Sequence, residues 1–278
     1  MKFLDLFELD EKQQVMDVGA SVISEVPRYK ALLDEGLAHL NAFEGDEKQI
    51  QGIRETFGED VSIFEQFLFD GSEREVYLCT PESGMTSLYK PKPAALRFFN
   101  GFERFGTVHS TAMVKTQRLD DIYSLPNIDL AKMDIQGAEL TVLKNGTSKL
   151  AGCLAVQLEV SYFNLYEEQP SFGDIDVWMR QNGFVPHCFV EVKRWSIAPT
   201  IFDRNFRIPG NQLLESDIVY IKDPLRLDQL DNQQLKKLVT IAHFYTRSVD
   251  LCIYLLNETI RRNLVGKEAT ERYLTSVN

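Results

Sequence analysis

Val15-Met16-Asp17-Val18-Gly19 reads as a short buried strand that ends on a carboxylate and a tight turn. A run this brief and apolar, closed by glycine, belongs in a sheet covered on both faces. Downstream, Pro27 suits the first turn of a helix and Gly36 its stop. Leu37 to Phe43 supplies a second strand ending at Glu44, and Asp46 is placed to cap a helix that runs to Gly58. Val61 to Leu68 predicts a third strand, stopped by Asp70-Gly71. Strand, helix, strand, helix, strand is the mononucleotide-binding half of a doubly wound sheet.

The same alternation continues to residue 222. Arg74 to Thr80 alternates like an added strand and Ser83 to Pro93 reads as loop, so residues 72–112 are expected to form an insertion. A helix over Ala94 to Phe105 and a strand over Met113 to Arg118 follow. Ile128 to Met133, Leu154 to Leu158, Phe184 to Val192 and Asp217 to Ile221 then supply four further strands, with a helix over Phe172 to Gln181. The pattern predicts an α/β protein with seven main strands in one domain, residues 1–224. In residues 225–278, Leu230, Leu235, Leu238, Ile241, Ala242 and Tyr245 keep a three-four spacing, and Leu251 to Ile260 continues it. This helical appendage either covers the sheet or offers a homodimer surface through residues 225–263.

Composition narrows the classes of function. The 278 residues, 44% of them hydrophobic, are enough to bury roughly three quarters of the unfolded surface. A surplus of 41 acidic over 30 basic residues gives a net charge of -11, which repels nucleic-acid backbones and anionic lipid surfaces on average. No run approaches the roughly 18 apolar residues of a membrane span, and the start, MKFLDLFELDEKQQ, turns acidic before a signal-peptide core forms. These features predict a cytoplasmic protein without membrane insertion. Cys79, Cys153, Cys188 and Cys252 are too scattered for a disulfide framework or zinc knuckle, and His39, His109, His187 and His243 show no metal-ligand spacing. Asn145-Gly146-Thr147 is a turn signal before it is a sequon.

Chemistry concentrates at the strand ends. Asp17 and Gly19 close the first strand where open sheets bind ligands. Glu44 ends the second strand 27 residues later, near the offset at which an acidic side chain accepts from ribose hydroxyls. Asp70 offers an acceptor for an adenine amino group, or simply forms the turn before Gly71. The series Gly19, Ser21, Ser24 keeps only the first small residue of a dinucleotide fingerprint, so a pyrophosphate is poorly cradled. S-adenosylmethionine, with a sulfonium and an ammonium and no phosphate, suits this acidic site, Asp17 serving its amino-acid end. A second cluster, Asp129 to Glu139, ends a strand on Asp134 and turns through Gly137 into a helix whose first turn holds Glu139. The plainer reading makes Glu139 a favourable charge at a helix N-terminus and Asp134 a cap.

Lys132-Met133-Asp134-Ile135-Gln136-Gly137-Ala138-Glu139, followed by Val142-Leu143, resembles the hallmark of the FkbM-type methyltransferase family. Val15 to Ala20 is similar to that family's first motif, Phe43-Glu44 to its second strand end and Gly84-Met85-Thr86-Ser87-Leu88 to its loop. Arg118-Leu119-Asp120-Asp121, Leu158-Glu159-Val160, Leu165-Tyr166, Gln169-Pro170 and Asn211-Gln212-Leu213-Leu214 resemble its other motifs. The resemblance covers about residues 14 to 256. It implies a Rossmann-like seven-stranded class I methyltransferase sheet, S-adenosylmethionine as cofactor, and O-methylation, often of sugars in glycans, glycolipids or secondary metabolites; the expected cofactor-binding residues are Asp17, Gly19, Ala20, Glu44 and Asp70. Ser21 to Ser24 departs from the family pattern, and Pro27-Arg28-Tyr29 suggests a longer loop.

Methyl transfer to a hydroxyl needs in-line alignment and a base. Asp134 is the first candidate base and Glu159 the second, with Glu139 expected to converge on the same acceptor oxygen; Tyr162 and Tyr166 are the expected acceptor-side residues. Asp134 and Glu159 are also a conceivable divalent-cation pair, although two carboxylates do not favour one. Two readings of other classes stay open: a nucleoside-binding assembly module without catalysis, and an NAD-dependent oxidoreductase, the latter weakened by the missing glycines. The expected acceptor is a small molecule or glycan precursor.

Overall fold

The computed structural model describes residues 6–20, 26–58, 61–81 and 83–277. Parallel strands β1 (Gln13–Val18), β2 (Ala38–Phe43) and β3 (Val61–Phe64) alternate with helices α1 (Lys30–Asp34) and α2 (Glu47–Phe57). Asp46 caps α2 as its sequence position requires, accepting from the backbone N–H of Lys48 and Gln49. The third strand is shorter than the apolar run suggests. Chain direction changes after Phe64, and Phe67–Leu68 forms β4 in a separate sheet with β5 (Glu73–Leu78) and β6 (Ser110–Gln117), in the order β4-β6-β5. The helix expected over residues 94–105 breaks into α3 (Pro93–Phe98) and α4 (Glu103–Gly106). At the break Gly101 takes a φ of +68°, with the Phe206 ring where a Cβ would stand.

The main sheet is completed by β7 (Leu130–Met133), β8 (Ala155–Ser161), β9 (Phe184–Trp195) and β10 (Gln212–Lys222), with α5 (Glu139–Lys144) and α6 (Phe172–Gln181) between them. Its order is β3-β2-β1-β7-β8-β10-β9, with β10 antiparallel to both neighbours and the remaining pairings parallel. This is a seven-stranded, Rossmann-like sheet. The last two strands are longer than hydrophobicity alone indicates, because an edge hairpin tolerates charged residues such as Glu191 and Arg194 on its exposed positions.

Alternation of side chains gives the sheet two unlike faces. Met16, Val18, Ala131, Met133, Leu158, Val160 and Ile218 pack against the α5 and α6 layer. Val15, Leu40, Leu130, Ala155 and Val219 share the opposite core with the C-terminal helices α7 (Asn232–Thr240), α8 (Val249–Arg261) and α9 (Ala269–Val277) and with a π-helical turn over Ile241–Tyr245. The appendage is thus continuous with the sheet's own core. A capping box between Asp231 and Gln234 starts α7. On this same face lie Asp17, Lys132, Gln157 and Glu159, a polar row inside an otherwise apolar layer. Among the described residues no helix is long and apolar enough to cross a membrane.

Candidate active site

The carboxyl ends of β1, β2, β7 and β8 meet at one rim of the sheet. Gly19 turns off β1 with a φ of +75°, and a Cβ there would stand 2.2 Å from the Asp134 carbonyl oxygen. Only glycine permits this approach. The N–H groups of Gly19 and Ala20 donate to the Phe43 carbonyl at 3.2 and 3.4 Å, tying the tip of β1 to that of β2. Glu44 follows directly. Its Oε1 accepts from the N–H groups of Gly45 and Asp46, both at 2.8 Å. Its Oε2 has no partner among the described residues, and partial burial raises its pKa.

Asp17 lies one step below the rim. Its carboxylate is fully buried, with Oδ2 accepting from the Tyr29 hydroxyl at 2.6 Å and Oδ1 from Lys132 Nζ at 3.2 Å. Burial raises the Asp17 pKa against the pull of Lys132. For Lys132 burial works downward, but Asp17 and Asp134 outweigh it and hold the ammonium charged. Asp17 therefore presents no surface for the direct contact expected of it, and its charge is felt through Lys132. Asp70 stands elsewhere. Because β4 leaves the main sheet, Asp70 sits in the accessory sheet's turn, where bonds from Ser72 and Arg74 hold its pKa at about 2 despite slight burial. Of residues 21 to 29, 21–25 fall outside the described residues.

The turn after β7 organises the rim. Asp134 N–H donates to the Val18 carbonyl at 3.1 Å, and the chain then passes through Gln136 at φ +55° and Gly137 at φ +102°. A left-handed non-glycine residue persists where its surroundings fix it. Here the Ser87 hydroxyl donates to the Gln136 carbonyl at 2.7 Å and the Tyr166 hydroxyl to its Oε1 at 2.8 Å. The amide Nε2 donates to Asp134 Oδ1 at 3.1 Å and to Glu159 Oε2 at 2.7 Å. Tyr166 thereby sets which end of the amide faces the carboxylates: a flip would set oxygen against oxygen. Gly137 leaves room for Gln169, which accepts from the N–H groups of Leu165 and Tyr166 and donates to Ser161.

Glu139 does not join this convergence. It is 1% exposed and its Oε1 accepts from the N–H groups of Ile135 and Gly137 at 2.9 and 3.3 Å, fastening the turn from beneath. Burial pushes its pKa up to about 7. Glu159 does join, with Oε1 also 3.4 Å from Lys193 Nζ, which binds Glu215 at 2.8 Å. Burial and the charges of Asp134 and Glu215 push the Glu159 pKa well above the ordinary range. Opposite it in the antiparallel register stands Asp217, pushed up to about 6 by burial and by Asp134. Five carboxylates (Asp17, Asp134, Glu159, Glu215 and Asp217) thus surround two ammoniums, Lys132 and Lys193. Asp134 alone of the Asp134–Glu159 pair keeps an oxygen, Oδ2, without a partner among the described residues.

The two tyrosines serve structure. Tyr166 is 2% exposed, so its ring has no face for an acceptor. Tyr162 packs tilted against Phe172, with ring centroids 5.5 Å apart, and its hydroxyl accepts from Ser216 on the α6 side of the sheet, away from the carboxylates. Gln136, Lys132, Lys193 and Asp217 were not marked by the sequence reading; the one local sign of Gln136 is its place between two carboxylates in a turn closed by Gly137. Among the described residues no group of three or more His, Cys, Asp or Glu is arranged to hold a metal ion.

Residues 17–186, more than half of the chain, match the Methyltransferase FkbM domain. The chain is 28% identical over 162 residues to 2-O-methyltransferase NoeI of Sinorhizobium fredii, a match that takes in 56% of this chain and 66%, just under two thirds, of that relative. Among solved structures it is similar to magnesium protoporphyrin IX methyltransferase (ChlM) of Synechocystis PCC 6803 with bound SAM, at 14% identity and a TM-score of 0.37 over 77% of this chain and 71% of that one. A putative methyltransferase of Thermoplasma acidophilum gives 13% identity and a TM-score of 0.35 over 77% and 70%.

Proposed function

The chain belongs to the FkbM methyltransferase domain family, and from that premise we infer that it is an S-adenosylmethionine-dependent O-methyltransferase whose acceptor is a hydroxyl of a sugar, glycan precursor or glycosylated metabolite. The residues at the rim fit this cofactor. Glu44 has an open carboxylate oxygen for ribose hydroxyls, Gly19 and Ala20 bring backbone to the same tip, and the surplus of carboxylates over Lys132 and Lys193 suits a ligand with a sulfonium and an ammonium. When bound, S-adenosylmethionine supplies an activated methyl group, transferred to oxygen with cleavage of its bond to sulfur.

The chain's own part is to bind, orient and deprotonate. Asp134 Oδ2 takes the proton of the acceptor hydroxyl. Gln136 fixes the other oxygen of Asp134 and ties it to Glu159, so the base is held at one angle to the rim before the acceptor arrives. Glu159, with both oxygens engaged, acts as a positioning residue; Lys193 balances its charge. The sugar reading is supported by the relative's 2-O-methyltransferase description and by the cluster of Asp134, Glu215, Asp217 and Lys193 around Glu159, whose polar groups offer a polyhydroxylated acceptor many hydrogen bonds. The observation that carries the proposal is the Gln136 amide spanning Asp134 and Glu159.

The test is transfer of labelled methyl from S-adenosylmethionine into a cell-envelope glycan extract. Asp134→Asn is expected to bind S-adenosylhomocysteine as the wild type does while turnover falls about 10²- to 10⁴-fold, the usual contribution of a general base. Unchanged turnover would remove Asp134 from that role.

A further inference from the structure

Residues 196–211 leave the main sheet between β9 and β10 and return as one firmly held loop. Asn100 Nδ2 donates to Ser196 Oγ at 2.8 Å and to the Ile197 and Thr200 carbonyls, and Ala198 N–H donates to the Phe98 carbonyl at 2.8 Å. Trp195 Nε1 donates back to the Asn100 carbonyl at 2.9 Å, and the Phe206 ring fills the space left by Gly101. This is a built surface. Its outer side nevertheless carries Ile197, Ile201 and Phe202 at 41%, 54% and 43% exposure, three large apolar side chains within six residues. Clustered exposure of that kind marks a surface meant to be covered.

The cations beside it are equally unusual. Arg104 lies with its guanidinium 4.1 Å from the Phe206 ring centroid and Arg207 at 5.8 Å from the same ring, while Arg204 stands two residues away in the left-handed region at φ +57°. All three are exposed, and none has a carboxylate partner among the described residues. Several arginines elsewhere are paired, Arg74 with Asp70, Arg180 with Asp176, Arg261 and Arg262 with Glu258, and Arg272 with Glu268, whereas these three gather around one exposed loop with their charges unmet among the described residues. The loop's own acid is Asp203, and Glu103 beside it faces Arg97 at 4.0 Å. In a chain of net charge -11 this patch is a local reversal of sign. Screening over about 8 Å at physiological salt lets such a patch act on a contacting surface without the distant acids.

We propose that the 196–211 loop docks on an anionic lipid surface, with Ile197, Ile201 and Phe202 entering the headgroup boundary and Arg104, Arg204 and Arg207 meeting lipid phosphates. Apolar side chains flanked by cations are the chemistry of interfacial binding, in which each basic residue contributes about fivefold in partitioning. Two residues along β9 from Trp195 stands Lys193, bound to Glu159 and Glu215, so docking sets the candidate site beside the lipid. The docking itself does not depend on which reaction the site performs.

Sedimentation of the full chain with vesicles tests it. Binding is expected to vesicles of phosphatidylcholine mixed with phosphatidylglycerol, to be weak on phosphatidylcholine alone, and to fall as salt rises. Arg204→Gln and Arg207→Gln should each weaken it about fivefold, and Ile201→Ser with Phe202→Ser about tenfold or more. Unchanged S-adenosylhomocysteine affinity shows that the variants are folded. No sedimentation with either vesicle, equal sedimentation with both, variants that bind as the wild type does, or capture by polyuridylate with the vesicles ignored would each overturn the proposal.

Discussion

The turn after β7 and the tip of β2 stand on the same rim, joined through Gly19, yet they are finished to different degrees. In the β7 turn Gln136 is bonded through its carbonyl, its Oε1 and both sides of its Nε2, and Glu139 closes the backbone from below. At the β2 tip Glu44 spends one oxygen on its own turn and keeps the other open. The first region is organised before any ligand arrives; the second leaves an acceptor for the ligand to satisfy. Catalysis gains from groups that need no rearrangement, whereas recognition needs an unmet partner.

Breaking the junction should have the largest effect. Gly19→Ala drives a Cβ into the Asp134 carbonyl and demands a φ of +75° from alanine, so both regions shift together. We expect a loss of about 3 kcal/mol or more of stability, read by denaturant unfolding. Next, Glu44→Gln turns an acceptor oxygen into a donor at the open position. Calorimetry should show S-adenosylhomocysteine binding about tenfold weaker, with the maximal turnover unchanged; a fall in turnover at equal affinity would erase the distinction between the regions. The smallest effect concerns Glu139. Below the ordinary carboxyl value of 4.5 it is protonated whether folded or unfolded, and as pH rises toward about 7 only the unfolded chain releases that proton, so the folded state loses stability across the window. Glu139→Gln removes the proton exchange, and its melting temperature should fall less than that of the wild type over the same range.

Much of the fold was legible because buried parallel strands advertise themselves as short apolar runs: Val15 to Val18, Leu37 to Phe43 and Ile128 to Met133 all fall on main-sheet strands. Where the run Val61 to Leu68 straddled a change of sheet, hydrophobicity had no way to mark the break, and Asp70 was assigned to the wrong strand end. In the site, the hallmark segment located the rim and named Asp134, and the strand end at Leu158-Glu159-Val160 named Glu159; the structure brings the two together through Gln136. It did not reveal which carboxylates face inward. Glu139 and Asp17 are acidic residues at promising spacings, but one is turned under its own helix and the other onto Tyr29 and Lys132, contacts 115 residues apart in the case of Lys132. Tyr166 followed the same logic, since an aromatic residue near a sheet tip reads alike whether it stacks on a ligand or donates a hydroxyl inward. Gln136 escaped notice because a neutral amide carries no charge to flag it; its meaning lies in the four groups it joins.

The account stands most directly on Gln136→Met, which keeps the length of the side chain and removes the amide that spans Asp134 and Glu159. Labelled methyl transfer and S-adenosylhomocysteine calorimetry on the same preparation give the decisive pair of numbers. Turnover reduced about 10- to 100-fold with affinity within about twofold of wild type is the predicted result; full turnover with the amide gone would contradict it.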